Sequence, residues 1–446
     1  MPTVHWFRRD LRLADNPSLL AAVEAARSSD DGTVVPLFVV DPGLWATAGA
    51  PRLAYLAASL RALDDSLGGR LVVRTGRAAD VVPAVAAEVG ADAVHVTAAT
   101  EPYGRRRDES VGVPLIRTGS PYAVGPGLLR TRTGSPFQVF TPFRRAWLEH
   151  GWAPAAPRPS GSPWAHLRSD GLPAAPATDV RLPAAGEAAA LRRWHEFVRD
   201  GLSSYPTDRD RPDVGGTSHM SIPLKFGELH PRTLLADLPA TADVFRSELA
   251  WREFHADVLW HHPSAARTSL RAVVPDDSWA TGRGELASFA AWAEGRTGYP
   301  IVDAGMRQLR ALGWIHNRVR MVVASFLVKD LHVRWQRGAE HFMAWLVDGD
   351  VAQNQLNWQW VAGTGRDAAP YFRVFNPVTQ GRKFDPVGSY VREWVPELRG
   401  IEGGAVHEPW RLRTPPAGYP APVVDHAAER RVALDDFHRG RPGPPR

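Results

Sequence analysis

Residues 297–335 read TGYPIVDAGMRQLRALGWIHNRVRMVVASFLVKDLHVRW, a stretch of helical periodicity. Pro300 is typical of the first turn of a helix, and Gly313 is typical of a helix end. The stretch therefore predicts one helix over 300–312 and a second helix over 317–336. This pair of helices is the centre from which a helical domain is predicted.

The second of these helices carries a mixed polar face. Asn317, Arg320 and Met321 follow one another at i, i+3 and i+4, and Arg318 lies one position round the helix. A neutral amide, two cations and a thioether on one surface suit a flat, anionic ligand. The tract at 348–384, DGDVAQNQLNWQWVAGTGRDAAPYFRVFNPVTQGRKF, adds tryptophans and glycines. That mixture is typical of a cofactor cavity rather than of a plain core.

Helical periodicity covers most of the second half of the chain. From 191 to 388 strand patterns nearly vanish, so this domain is predicted to be all-α. Further helices are predicted over 191–200, 243–260, 285–295 and 338–347.

The first 130 residues alternate apolar runs with helical stretches, which is the rhythm of a parallel α/β sheet. Asn16 and Pro17 supply a cap and a first-turn proline for the helix that follows the first run. No GxGxxG follows that run, so the dinucleotide fingerprint does not apply. The apolar runs are TVHWF, TVVPLFVVD, RLVVRTG, AVHVTA and VPLIRTG.

The many prolines and glycines between about 151 and 186 interrupt any long helix and indicate an extended connector. The fold class is therefore α/β plus all-α. The predicted regions are an α/β domain over 1–130, a linker over 131–190 and a helical domain over 191–446.

Composition excludes several classes of chemistry. The 446 residues include no cysteine, which removes disulfides, thiolate metal sites and cysteine nucleophiles. Histidines form no metal-like pair, so no metal is expected. The net charge of +5 is compatible with a nucleic-acid partner but does not demonstrate one. The N-terminal sequence meets charge early, and we expect a soluble, cytoplasmic protein.

Several polar residues have both a structural and a functional interpretation. Asp348 and Asp350 flank Gly349, which suggests either a helix end followed by a cap or carboxylates that bind a ligand. Glu248 shares a helical face with Trp251, and a surface ion pair with Arg252 explains it equally well.

Three other features carry the same double interpretation. Trp358 and Trp360 suit ordinary packing or a cofactor wall. His316 is favoured as a structural residue over a catalyst. The segment TSHMS at 217–221 suits a helix cap or a phosphate-binding nest.

Ordered motifs along nearly the whole chain resemble the DNA photolyase and cryptochrome family, most closely the class I photolyases that repair cyclobutane pyrimidine dimers. The family fold is an α/β antenna domain, a long linker and a helical FAD domain, in agreement with the organisation above. The motifs are WFRRDLRLADNPSL, VFTPFRRAW, SELAWREF, TGYPIVDAGMRQL, NRVRMVVASFLVKDLHVRW, DGDVAQNQLNWQW and FNPVTQGRKFDP.

The resemblance implies FAD as the cofactor and gives roles to individual residues. Arg320 would pair with Asp348 beside the flavin ring, and Asn354 would face the flavin N5. The implied FAD contacts are Tyr205, Thr217, Ser218, His219, Met220, Ser221, Phe245, Arg320, Asp348, Gly349, Asp350 and Asn354.

The same resemblance implies damaged DNA as the partner and a monomeric enzyme. Glu248, Asn317, Met321 and Asn354 would be the catalytic positions. The implied DNA contacts are Arg209, Glu248, Trp251, Arg252, Asn317, Arg318, Trp360, Arg373 and Gln380. Trp358, Trp335 and Trp279 would carry electrons to the flavin.

The segment TEPYGRRRD departs from the pattern of folate-binding relatives. As the second, antenna chromophore, an 8-hydroxy-5-deazaflavin, another flavin or no chromophore at all is thus favoured over a folate. The alternative function is a cryptochrome-like light sensor without repair. Asn354, Glu248 and Met321 favour repair, since sensors usually carry aspartate or cysteine at the position facing N5.

Overall fold

The computed structural model of the chain describes residues 1–28, 32–161, 163–366 and 372–440. These residues form two compact units, each of which is discontinuous in sequence. Unit 1 comprises Met1–Thr178, Leu182–Ser203 and Ser218–Pro263; unit 2 comprises Asp179–Arg181, Ser204–Thr217 and the described part of Ser264–Arg446.

Unit 1 contains a parallel five-stranded sheet, as the alternating pattern predicted. The strand order is β3-β2-β1-β4-β5. Strands β2 and β3 are added on one side of β1, and β4 and β5 on the other side. The strands are β1 (Thr3–Phe7), β2 (Val34–Val40), β3 (Val72–Thr75), β4 (Val94–Val96) and β5 (Leu115–Arg117).

The predicted helices of the α/β region are present, and the described residues after 191 contain helices and no strand. The first ten helices are α1 (Pro17–Arg27), α2 (Pro42–Thr47), α3 (Ala50–Ser66), α4 (Ala78–Val89), α5 (Pro102–Glu109), α6 (Phe140–His150), α7 (Glu187–Asp200), α8 (Tyr205–Asp208), α9 (Ser221–Phe226) and α10 (Pro231–Asp237). The others are α11 (Asp243–His261), α12 (Gly282–Glu294), α13 (Pro300–Leu312), α14 (Asn317–Lys329), α15 (Trp335–Trp345), α16 (Val351–Ala362), α17 (Pro377–Phe384), α18 (Ser389–Trp394) and α19 (His426–Arg439).

Local sequence signals account for several of these boundaries. The side chain of Asn16 accepts a hydrogen bond from the backbone N–H of Leu19 at 3.1 Å and so caps α1. Gly313 ends α13 in the left-handed conformation with φ 58°, as its position predicted. Its Cβ-free backbone is also needed because the side chains of Val180 and Val347 lie close by.

The prediction of one helix over 317–336 is wrong. Helix α14 ends at Lys329, and α15 begins only at Trp335. His332 adopts φ 52°, which a continuous right-handed helix does not allow. The next predicted helix, 338–347, accordingly starts at Trp335 and ends at Trp345.

Unit 2 is built around a large apolar core. Helices α13 and α14 supply much of it, with Ile301, Leu309, Val323 and Phe326 fully buried. Trp292 of α12 is fully buried beside them, and its indole N–H donates to the carbonyl of Val323 at 2.9 Å. This core fixes the helices that carry the polar face predicted from sequence.

The predicted domain boundaries at 130 and 190 remain a prediction. The segment assigned to the linker contains α6 and the first residues of α7. Helices α7 and α9 to α11 belong to the same compact unit as the sheet. Within the described residues, no helix is long and apolar enough to span a bilayer.

Candidate functional site

An ion pair in unit 2 joins α14 to the turn before α16. Arg320 donates from Nη2 to Oδ2 of Asp348 at 2.7 Å, and from Nε to the carbonyl of Ile315 at 2.8 Å. The Asp348 side chain is only 2% exposed. Its other oxygen, Oδ1, is buried and has no hydrogen-bond partner among the described residues. Since an unsatisfied buried acceptor is costly, Oδ1 is suited to accept an N–H from a ligand.

The second carboxylate of this turn has a structural role. Oδ1 of Asp350 accepts from the backbone N–H of Gln353 at 3.1 Å, which confirms the predicted cap of α16. The suggestion that Gly349 closes the preceding helix is wrong, because α15 already ends at Trp345 with an extended residue, Leu346, at its C-cap. Among the described residues no cluster of acidic and histidine side chains is arranged to hold a metal ion.

Asn354 lies one turn into α16 and is buried. Its side-chain amide donates to the carbonyl of Ala339 and to Oε1 of Gln355, each at 3.0 Å. Both amide hydrogens are thereby used, and the orientation of the side chain is fixed. The side-chain oxygen of Asn354 is left as an acceptor.

Arg318 is also held in place within unit 2. Its Nε and Nη2 both donate to Oδ1 of Asp210, at 3.2 and 2.7 Å. Nη1 contacts Sδ of Met321 at 3.7 Å, and the guanidinium lies 4.6 Å from the ring centroid of Phe384. His316 accepts from the backbone N–H of Arg318 through Nδ1, in agreement with a structural histidine.

Three tryptophans assigned to electron transfer belong to the core of unit 2 or border it. Trp358 and Trp335 are buried, whereas Trp279 is only partly buried at the edge. The Trp335 indole donates to Oγ of Ser269 at 3.0 Å. The guanidinium of Arg334 lies 5.7 Å from the ring centroid of Trp279. Burial therefore decreases from Trp358 and Trp335 to Trp279.

The further predicted contacts of unit 2 range from buried to exposed. Tyr205 is buried at the start of α8, with the guanidinium of Arg209 5.6 Å from its ring centroid. Arg373 is exposed, and its carbonyl accepts from the ammonium of Lys329. Asn317 is exposed. Trp360, Gln380 and Thr217 are half-buried in the same unit.

The predicted phosphate-binding segment of unit 1 begins at Ser218. Oγ of Ser218 accepts from the backbone N–H of Met220 at 3.3 Å. His219 adopts φ 54°, an uncommon conformation for a residue other than glycine. The N-cap of α9 is Met220, without a side-chain hydrogen bond, so the predicted polar cap is wrong. Ser221 is the first residue of that helix.

Helix α11 of unit 1 carries the other predicted contacts. Trp251 stacks on Phe140 with ring centroids 3.6 Å apart and planes 8° apart. Arg252 donates to the carbonyls of Pro121 and Leu224, each at 3.1 Å. Glu248 is half-buried on the same helix. Phe245 is buried against the rings of Trp194 and Phe197.

Two functional candidates were missed by the sequence reasoning. Asp210, the partner of Arg318, lies 108 residues away from it. Phe140, which covers one face of Trp251, is equally remote in sequence. No local spacing could have found either pair, because both depend on tertiary packing.

The chain is similar to known proteins along most of its length. Family models described as DNA photolyase and as the FAD binding domain of DNA photolyase match residues 3–160 and 245–439. A deoxyribodipyrimidine photo-lyase of Streptomyces griseus is 43% identical over 95% of this chain and 96% of its own length. The enzyme of the same name from Escherichia coli is 38% identical over 98% of each chain.

Solved structures show the same similarity. A class III photolyase from Agrobacterium tumefaciens superimposes with a TM-score of 0.88 at 36% identity, covering 98% of this chain and 97% of its own. A cryptochrome from Synechocystis superimposes with a TM-score of 0.87 at 27% identity, covering 98% of this chain and 99% of its own.

Proposed function

This chain belongs to the DNA photolyase family, and on that basis we propose that it is a deoxyribodipyrimidine photo-lyase that splits cyclobutane pyrimidine dimers in DNA. The observation that supports this most directly is the buried ion pair of Arg320 and Asp348 with one carboxylate oxygen unsatisfied. An acceptor of this kind suits a heteroaromatic ring with N–H groups, as in a flavin.

The cofactor is FAD, and the residues present fit it. Asp348 would accept from the flavin ring through Oδ1, while Arg320 neutralises the carboxylate. The fixed amide of Asn354 would present its oxygen to the flavin N5. Phosphate and ribose would be contacted by Tyr205, Thr217 and the segment 218–221, with Gly349 and Asp350 beside the ring. Phe245 is a further proposed FAD contact. When bound in its reduced form, FAD supplies the light-driven electron that splits the dimer.

The substrate must leave the duplex before it can reach a buried cofactor. Photolyases are base-flipping enzymes. Extrusion of a nucleotide costs a few kcal/mol in normal DNA and less where damage weakens stacking, so damaged DNA is selected before the chemical step. In the pocket Glu248 would stabilise charge on the dimer, and Asn317 would hydrogen-bond its bases. Trp251, Met321 and Trp360 would form the apolar walls.

Contacts to the DNA backbone would position the duplex without reading its sequence. Arginine suits this role because its planar guanidinium can donate two hydrogen bonds to one phosphate. The proposed phosphate or lesion-side contacts are Arg209, Arg318 and Arg373. Arg252 and Gln380 are proposed as further DNA contacts.

Trp358, Trp335 and Trp279 would carry an electron from the surface to an oxidised flavin. Their burial supports Trp279 as the outermost of the three, because Trp358 and Trp335 lie inside the core while Trp279 borders it. A second chromophore, a deazaflavin or another flavin, would act as an antenna. We further propose that the protein is a monomer and works in the cytoplasm at the nucleoid.

Survival of irradiated bacteria tests the proposed function. A strain that lacks its own photolyase would express this chain, receive ultraviolet light, and then be held in blue light or in darkness. We expect survival to rise only in blue light. Equal survival in both conditions, with the flavoprotein present in the cells, would support a cryptochrome-like sensor instead.

A further inference from the structure

We propose that Asp210 is a specificity-determining residue, which makes Arg318 a directional contact for damaged DNA rather than a general attractor of DNA. The inference rests on the proposed function, because it takes a lesion-containing duplex as the substrate. Asp210 is not among the proposed DNA contacts. It acts through its ion pair with Arg318.

The carboxylate of Asp210 fixes one edge of the Arg318 guanidinium. Nε and Nη2 both donate to the same oxygen, Oδ1, at 3.2 and 2.7 Å. Two hydrogen bonds from one planar group to one acceptor define the direction of that edge. The Asp210 side chain is 41% exposed and the Arg318 side chain 23% exposed, so the pair lies at the surface.

Two other side chains complete the restraint. The ring of Phe384 lies 4.6 Å from the guanidinium carbon, and Sδ of Met321 lies 3.7 Å from Nη1. Of the five N–H groups of arginine, the contacts use one on each nitrogen. One N–H on each terminal nitrogen remains to donate to a phosphate, and this terminal edge of the guanidinium is called the fork below. The side chain is therefore ordered before DNA arrives, which lowers the entropy cost of the contact.

The ion pair also changes what Arg318 does at long range. A free surface cation attracts any DNA backbone, and this attraction dominates non-specific binding. A carboxylate in contact with the guanidinium cancels most of its field beyond the screening length of about 8–10 Å. A phosphate therefore gains binding free energy from Arg318 only when it lies directly at the fork.

Such a contact favours a distorted duplex over a regular one. DNA with an extruded dinucleotide has a bent and locally displaced backbone, so its phosphates occupy positions that regular DNA reaches only at a cost. Asp210 therefore lowers affinity for undamaged DNA more than it lowers affinity for the lesion.

A second arginine–aspartate pair provides a control in the same segment, with the Asp213 side chain 5% exposed where that of Asp210 is 41% exposed. Arg211 donates from Nε to Oδ1 of Asp213 at 2.7 Å, three residues from Asp210 in sequence. Replacing either aspartate by asparagine removes one negative charge from the same segment. Only Asp210→Asn frees Arg318.

Dissociation constants measured in darkness test the inference. Wild-type protein, Asp210→Asn and Asp213→Asn would bind a thymine-dimer duplex and an undamaged duplex of the same sequence over a range of salt concentrations. We expect Asp210→Asn to bind undamaged DNA about three-fold tighter than wild type does, the size expected for release of one surface ion pair. The preference for the dimer falls by a similar factor. The salt dependence for undamaged DNA steepens by about one ion.

A double-mutant cycle shows whether Asp210 acts through Arg318. In an Arg318→Ala background, Asp210→Asn should behave like Asp213→Asn, and in the wild-type background Asp210→Glu should restore the preference. Equal behaviour of the two asparagine variants with Arg318 present, or an effect of Asp210→Asn that persists without Arg318, overturns the inference. The proposed function is tested separately by the wild-type protein alone. If wild type binds the thymine-dimer duplex no tighter than the undamaged duplex, the proposed function is overturned.

Discussion

Among single residues, Asp348 is central to FAD binding, because its carboxylate is buried with one oxygen bound to Arg320 and one unsatisfied. Asp348→Asn should weaken FAD binding about 10- to 100-fold, because a hydrogen bond to a charged group contributes roughly 1.5–3 kcal/mol. The measurement is a titration of apoprotein with FAD. Glu340→Gln, an exposed carboxylate of α15, is the control and should leave the dissociation constant unchanged. Tight FAD binding by Asp348→Asn would remove Asp348 from the site.

At the scale of elements, the packing of α15 against α16 depends on Gly338. A Cβ at this position would meet the indole ring of Trp358 and the side chain of Leu327. Replacement of a helical glycine by alanine normally raises the free energy of unfolding by up to about 1 kcal/mol. Gly338→Ala should instead lower the free energy of unfolding by about 1–3 kcal/mol, because the core must shift to admit the methyl group.

The control for this prediction is Gly284→Ala in α12. No atom lies within 4 Å of a Cβ built there, so alanine should be neutral or stabilising. Chemical denaturation of both variants gives the comparison. Stabilisation by Gly338→Ala would show that α15 lies farther from Trp358 than the structure places it.

At the scale of the whole molecule, stability depends on pH through Lys329, a buried residue whose ammonium donates to the carbonyl of Arg373. Burial lowers the pKa of Lys329 from 10.5 to about 7. As pH falls from about 10.5 to 7, the unfolded chain takes up a proton that the folded chain does not, so the folded state loses stability. Below pH 7 this loss is complete.

Lys329→Met should therefore raise the free energy of unfolding, relative to wild type, by about 3–4 kcal/mol more at pH 7 than at pH 10. Thermal or chemical unfolding at the two pH values measures this difference. Lys383→Met removes an exposed ammonium and should show no such dependence. A pH-independent effect of Lys329→Met would mean that Lys329 stays protonated in the folded protein.

Much of the architecture follows from local patterns. Pro300 and Gly313 gave the bounds of α13, because a first-turn proline and a left-handed glycine are local requirements. The alternating runs gave the parallel sheet. The end of α14 was missed, since the left-handed conformation of His332 has no sequence signature. The pairing of Arg318 with Asp210 depends on the fold as a whole and could not be derived from spacing.

Repair of a defined lesion by the purified protein is the decisive test of dimer splitting. Photoreduced protein and a thymine-dimer oligonucleotide would be illuminated with blue light, with a dark sample and an Asn354→Asp variant beside it. The account predicts intact thymines only in the light, with less repair by Asn354→Asp because a carboxylate beside the flavin N5 disfavours the reduced cofactor. Protein that holds fully reduced FAD, binds the oligonucleotide and leaves every dimer intact under blue light would contradict it.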